Sequence, residues 1–221
     1  MPARFVPARW ATILPLLPFF VVAGLLSAGL IGALTLLDPL FREAIVPWRS
    51  PELIAVMRWI TRLGEGWLLG IVAVAVAAAG YWSGRRALVR TGWTGLVALI
   101  ASGLATRVFK IGLGRPRPGL VDRGMLEWGP SLAAAQNSFP SGHATAAFAL
   151  ATVAAAAAPG WGIVFYALAT LVAVSRVVLD AHFVADVVAG GLIGWAVARA
   201  AVAMARPRLD AGPKADTAHD A

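Results

Sequence analysis

The chain is 221 residues long, 59% of them hydrophobic, with a formal net charge of +8 and no cysteine. Charged residues make up 14%, against about a quarter in soluble domains, too few to cover a water-soluble globule. The lack of cysteine excludes disulfides, thiolate metal sites and cysteine-phosphate chemistry, and leaves the redox compartment open.

The apolar residues come in runs rather than at period 2 or 3.6, and uncharged runs of about 20 residues mark bilayer-spanning helices. The expected fold is therefore all-α: a six-transmembrane helical bundle with a short interfacial helical segment between spans 1 and 2. The excess of Lys and Arg fits cytoplasmic loops and anionic lipid headgroups. Aromatic and basic residues do not interleave as single-stranded nucleic acid would require, so no nucleic-acid partner is expected.

Arg4 and Arg9 precede an apolar stretch from Trp10 to Leu37. This exceeds the roughly 15-residue core of a signal peptide, so a retained first span is expected, over about 11–37. Segment 38–64 scatters Asp38, Arg42, Glu43, Arg49, Glu52, Arg58 and Arg62 among Trp, Leu and Ile, as in helices lying in the interface. A second span is expected over about 65–82, then a basic loop with Arg85, Arg86 and Arg90. The third, about 91–109, leads into a polar loop, 110–139, rich in Gly, Pro and Arg. Spans over about 141–158, 161–178 and 183–204 follow, the first two joined by a Pro159–Gly160 turn. One domain over 1–205 is expected, with a disordered cytoplasmic tail over 206–221.

Short-loop Lys and Arg orient a membrane protein. Arg4, Arg9, Arg85, Arg86, Arg90, Arg206, Arg208 and Lys214 then lie in the cytoplasm. Loops 38–64, 110–139 and 179–182 face outward, and basic loop 110–139 runs against the rule, which calls for a functional reason.

Three polar clusters edge the later spans. Lys110-Ile-Gly-Leu-Gly-Arg115-Pro-Arg117-Pro118 leaves span 3, Pro140-Ser141-Gly142-His143 opens span 4, and Ser175-Arg176, His182 and Asp186 bridge spans 5 and 6. Two crossings separate the second cluster from the third, so all three share a membrane face. Together they hold several cations, two histidines and a carboxylate, the groups a metal-free phosphoryl-transfer site needs. His182 and Asp186, four apart on a predicted helix, share a face, so the carboxylate can hold one ring nitrogen and leave the other free to attack. Pro140 reads as the first helical residue of span 4 with Ser138 as its cap, which aims the N–H groups near Ser141 and Gly142 at a phosphate oxygen. Lys110, Arg117 and Arg176 would clamp the equatorial oxygens, and His143 is left to protonate the leaving group.

Lys110-x6-Arg117-Pro118, Pro140-Ser141-Gly142-His143 and Ser175-Arg176-x5-His182-x3-Asp186 resemble the three-part signature of the type 2 phosphatidic acid phosphatases, bacterial lipid phosphatases among them. Every position is filled, in order, and the likeness covers about residues 62–204. The resemblance implies three catalytic residues: His182 as the nucleophile that becomes a phosphohistidine, Asp186 orienting it, and His143 protonating the departing alcohol and then activating water. Lys110, Arg117, Ser141, Gly142 and Arg176 would bind phosphate. No cofactor or metal is implied, in keeping with a chain poor in His and acids. The implied partner is a membrane phospholipid or a polyprenyl or lipid A phosphate. The implied location is the bacterial cytoplasmic (inner) membrane, with the site on the extracytoplasmic side.

Phosphatase action on a lipid phosphate monoester or diphosphate is the leading expectation. Transfer of the phosphate to a second lipid would use the same motifs, and a lipid or anion transporter would use the basic cluster alone. Arg115 either touches the headgroup or snorkels to the interface, and Arg107 is left without an assigned role. Asp122, Arg123 and Glu127 read as solvated loop charges, and Asp180 as the partner of an arginine. Trp10, Trp48, Trp59, Trp67, Trp93, Trp128 and Trp161 read as interfacial anchors, and His219 as a tail residue without catalytic work.

Overall fold

The structure is a computed structural model that describes residues 17–205. Arg4, Arg9, Trp10, Arg206, Arg208, Lys214, His219 and the expected tail lie outside the described residues. Eight α-helices carry the described chain, with no strand among them: α1 Leu17–Ile45, α2 Pro51–Arg62, α3 Gly66–Trp82, α4 Arg86–Leu113, α5 Pro118–Val121, α6 Gly142–Ala157, α7 Gly162–Val178 and α8 Val184–Ala205.

Four helical segments are long and apolar enough to cross a bilayer: Gly24–Trp48, Arg86–Val121, Pro159–Val178 and Val184–Ala205. Helices α2 and α3, bent by 45° at their junction, would make a fifth if taken as one span. Helix α6 is 16 residues long, which at about 1.5 Å per residue falls short of the roughly 30 Å hydrocarbon core.

The first helix runs on to Ile45, so Asp38 and Arg42 belong to it rather than to an interfacial segment. The remainder of that segment carries α2. Ser50 caps it by accepting the Leu53 N–H at 3.2 Å, and Pro51 and Glu52 occupy its first turn. An N-cap hydroxyl, an early proline and an early acid are each favourable at a helix start.

The interior inverts that of a soluble protein. Buried positions are small: Ala98, Ala144, Ala149, Ala185 and Ala198 are fully enclosed, while Leu36 and Ile163 are 82% and 88% exposed. Lipid tails are as apolar as Leu, so a membrane bundle gains from close helix approach rather than from hiding large apolar groups. Helices α6 and α8 form the tightest pair of the bundle. A Cβ on Gly194 would lie 2.2 Å from the Thr145 carbonyl oxygen, and one on Gly190 would lie 2.4 Å from that of Ser141. The start of α6 is thereby pinned against α8, beside Asp186.

Candidate active site

Helix α4 stops at Gly114, whose φ of 50° is left-handed and whose N–H bonds the Lys110 carbonyl at 3.0 Å. A Cβ there would sit 1.6 Å from the Gly129 oxygen, so glycine is required. The turn sends Arg115 into the interior, 5% exposed. At the end of α7 the chain also turns left-handed, at Asp180 with φ 57°. The Arg176 carbonyl there accepts the N–H of Ala181 at 3.0 Å and of His182 at 3.3 Å. That hairpin brings Arg176 and His182 together across five intervening residues.

His182 precedes α8 rather than riding on it, and Asp186 lies in that helix's first turn. Asp186 Oδ2 accepts the Phe183 N–H at 3.0 Å, the reach-back of an acidic third residue that stabilises a helix start. The same oxygen stands 3.4 Å from His182 Nδ1. This contact is at the long end of hydrogen bonding. Burial, only partly countered by Asp186, pushes His182 down to about 4. The imidazole is therefore neutral at pH 7, with Nδ1 toward the carboxylate and Nε2 free of it.

Ser138 does not cap α6. Its N–H bonds the Arg115 carbonyl at 2.9 Å and its hydroxyl donates to Asp186 Oδ2 at 2.5 Å. The cap position belongs to Ser141, and α6 begins at Gly142. The Ser141 N–H donates to the Asp186 carbonyl at 2.9 Å, so it is not available to a phosphate as the spacing predicted. The buried Ser141 hydroxyl has no hydrogen-bond partner among the described residues. Gly142 and His143, as first helical residues, have no carbonyl within the helix to bond, and a Cβ on Gly142 would point into open space.

Lys110 donates to the Asn137 and Ser138 carbonyls, and Arg117 to the carbonyls of Ala134 at 3.2 Å and Ala181 at 3.4 Å. Arg176 Nη1 donates to Thr61 Oγ1 at 2.8 Å, and its buried Nε has no partner. Among the described residues, none of these three cations pairs with a carboxylate. All three lie within electrostatic reach of His143, as does His182. Lys110 and Arg117 act likewise on His182. The motif residues therefore converge on one place: three cations without anions, an unpartnered hydroxyl, and a neutral imidazole.

The neighbouring charges are arranged otherwise. Arg42 pairs with Asp122 through two bonds of 2.6 and 2.7 Å and with Asp180 at 2.7 Å, and Arg49 stands 3.6 Å from Asp180. Asp122 is thus no free loop charge: Arg42 holds its carboxyl below the usual range. Arg115 neither snorkels nor faces outward. Its guanidinium bridges Asp186 Oδ1 at 2.6 Å and Asp38 Oδ2 at 2.8 Å, 4.1 Å from the Phe183 ring centre and 5.0 Å from that of Trp128. Trp128, read as an interfacial anchor, is a face of that pocket. Arg107 is exposed.

An apolar cavity of about 610 Å³ runs between α3, α6 and α7, from Leu63 and Val172 to Phe165 and Ala154. It begins beside the site, because a Cβ on Gly64 would meet both Val172 Cγ1 at 2.3 Å and His143 Cβ at 3.2 Å.

A profile of the PAP2 superfamily matches residues 91–210. A lipid A 1-phosphatase of Rhizobium etli is 36% identical over 120 residues, 52% of this chain and 52% of that protein, so the chain spans about half its length. Phosphatidylglycerophosphatase B of Bacillus subtilis is 31% identical over 172 residues, 71% of this chain and 77% of that protein. The crystal structure of a transmembrane PAP2 type phosphatidylglycerolphosphate phosphatase from Bacillus subtilis superposes with a TM-score of 0.64 at 27% identity. It covers 86% of this chain and 94% of that one. The chain, a multi-pass membrane protein, belongs to the PAP2 superfamily.

Proposed function

We propose that the protein is a membrane lipid phosphatase that hydrolyses a lipid phosphate monoester or diphosphate through a phosphohistidine on His182. The observation that carries this reading is the contrast in charge pairing. Arg42 and Arg115 are tied to carboxylates, while Lys110, Arg117 and Arg176, on three different segments, converge without one. Half-buried cations without an ion-pair partner are costly unless a ligand supplies the charge, and a phosphoryl group carries that charge on oxygens the cations can share.

In the proposed reaction His182 Nε2 attacks phosphorus, the bond from phosphorus to the lipid oxygen breaks, and His143 gives that oxygen its proton. Asp186 holds the Nδ1–H and balances the imidazolium that forms. Water then loses a proton to His143 and attacks phosphorus, the P–N bond breaks, and phosphate leaves. The Ser141 hydroxyl and the free N–H groups at Gly142 and His143 complete the phosphate cradle. The apolar cavity beside Gly64 takes the lipid's hydrocarbon.

In the same reading one domain over 1–205 crosses the membrane six times, through α1, α3, α4, α6, α7 and α8. Support comes from the helix ends: α1, α4 and α7 finish at the site and α3, α6 and α8 start there, through the Asp38–Arg115, Gly64–His143 and Arg176–His182 contacts. Arg85, Arg86 and Arg90 lie at the opposite ends of α3 and α4. A cytoplasmic position for them puts the site on the outer face of the inner membrane. Phosphatidylglycerol phosphate and the 1-phosphate of lipid A, the substrates in the relatives' names, head the candidates. Phosphatidic acid and undecaprenyl diphosphate follow.

The test is phosphate release by purified protein in detergent with EDTA, across those four lipids, beside His182→Ala. Release that survives EDTA and is abolished by the substitution is expected. Label passing to an added lipid rather than to water would identify transfer instead, and equal release by His182→Ala would overturn the reading.

A further inference from the structure

Asp186 is fully buried and accepts from four directions, and its Arg115 bond is the shortest contact of its Oδ1. Arg115 is held in turn by Asp38 from α1, and both Asp38 oxygens are used: Oδ2 by Arg115 at 2.8 Å, Oδ1 by the Ala185 N–H at 3.1 Å. Asp38 is 1% exposed. A carboxylate whose two oxygens each receive a donor is satisfied in its ionised form. The guanidinium fork suits this bridge, because two separate nitrogens reach two separate carboxylates and the Phe183 and Trp128 rings confine its plane.

The charges explain why two carboxylates surround one arginine. Arg115 alone would neutralise Asp186, and a neutralised carboxylate does little for a cation forming on the neighbouring ring. Adding Asp38 leaves the trio with one net negative charge. That charge sits beside His182, whose ring becomes an imidazolium when Nε2 bonds phosphorus. The bond from Asp38 to the Ala185 N–H also fixes the first turn of α8, and so the backbone that carries Asp186.

We propose that Asp38 and Arg115 are positioning residues for the histidine nucleophile: Arg115 locks Asp186 by its far oxygen, and Asp38 offsets the arginine so that Asp186 keeps its charge for the ring. This rests on the phosphohistidine reading above. Helix α1, which lies wholly outside the motif-bearing segment, thereby becomes part of the catalytic apparatus.

Asp38→Asn keeps an acceptor for the Ala185 N–H and removes the charge. It should fold, leave KM within about twofold, and lower kcat by about tenfold to a hundredfold, less than the loss of the orienting carboxylate of a catalytic dyad. Single-turnover labelling should place the loss in phosphoenzyme formation. Arg115→Met leaves two buried carboxylates facing each other and is expected to fold poorly. Asp38→Asn with Arg115→Met removes that conflict and should recover folded yield and thermal stability while kcat stays low. A merely structural pair predicts instead that kcat returns with the fold. Parental kcat in folded Asp38→Asn, or recovery of kcat in the double variant, overturns the proposal. An unaffected His182→Ala would overturn the phosphohistidine reading and this role with it. A dead His182→Ala beside a fully active Asp38→Asn removes this role alone.

Discussion

Arg176 Nη1 donates to Thr61 Oγ1 at 2.8 Å, joining the end of α7 to α2 by a bond in which only one partner is charged. The guanidinium is half-buried, its Nε is without a partner, and among the described residues no carboxylate lies in ion-pairing range. Such a cation is poorly placed for stability and well placed for an anion. Arg176→Gln should therefore lower kcat/KM by about a hundredfold without lowering thermal stability in detergent. Activity across the lipid panel and a melting curve check both halves, and a large loss of stability would show that Arg176 serves the fold.

The pH dependence follows from His182. Its ordinary value is 6.5 and burial pushes it to about 4. It faces Asp186 from α8, Ser138 from the segment that leads into α6, and Lys110, Arg117 and His143 from the other site segments. The folded state then binds fewer protons than the unfolded one between about pH 4 and 6.5. Stability accordingly falls as pH drops through that window and is flat in this respect above it. The nucleophile stays neutral down to about pH 4, so its limb of the activity profile lies well on the acid side of neutrality. Melting curves from pH 4 to 8 should show a slope that His182→Gln reduces. An unchanged slope in the variant would assign it to another group.

Gly64 is where the apolar cavity meets His143. A Cβ there would lie 2.3 Å from Val172 Cγ1 and 3.2 to 3.3 Å from two His143 atoms, so one or both neighbours must move. Val172 is β-branched and fully buried, which leaves it little freedom to turn away. Gly64→Ala should cost activity through displacement of His143, and Val172→Ala in the same chain should restore part of it. Kinetics of the single and double variants measure that relief. An active Gly64→Ala would show that the His143 ring tolerates the shift.

Much of the site was legible because phosphoryl transfer demands rare residues at rigid spacings. Lys110, Arg117, His143, Arg176, His182 and Asp186 are charged or titratable groups at the ends of apolar runs, and the structure gathers them. Asp38 and Arg115 were harder. Asp38 follows Leu36 and Leu37 and looks like the charge that ends a span, yet the helix continues to Ile45. An ionisable residue inside an apolar helix was the available signal. Arg115 stands two residues from Arg117, and only the left-handed turn at Gly114 decides which of them faces inward. Ser138 had the right type and spacing for a helix cap, but Asp186, distant in sequence, took its hydroxyl. Long-range partners of this kind leave no local periodicity. The crossings were legible where apolar length was ample, and least so at α6, whose 16 residues are enclosed by neighbours.

The central claim is a phosphate covalently held by His182. The direct measurement is to mix the protein with lipid carrying radiolabelled phosphate, quench in alkali, and locate the label by mass spectrometry. Label on His182 that is stable to base and lost in acid is expected, and it should be absent from His182→Ala. Label at another residue, or turnover by His182→Ala, would contradict the account.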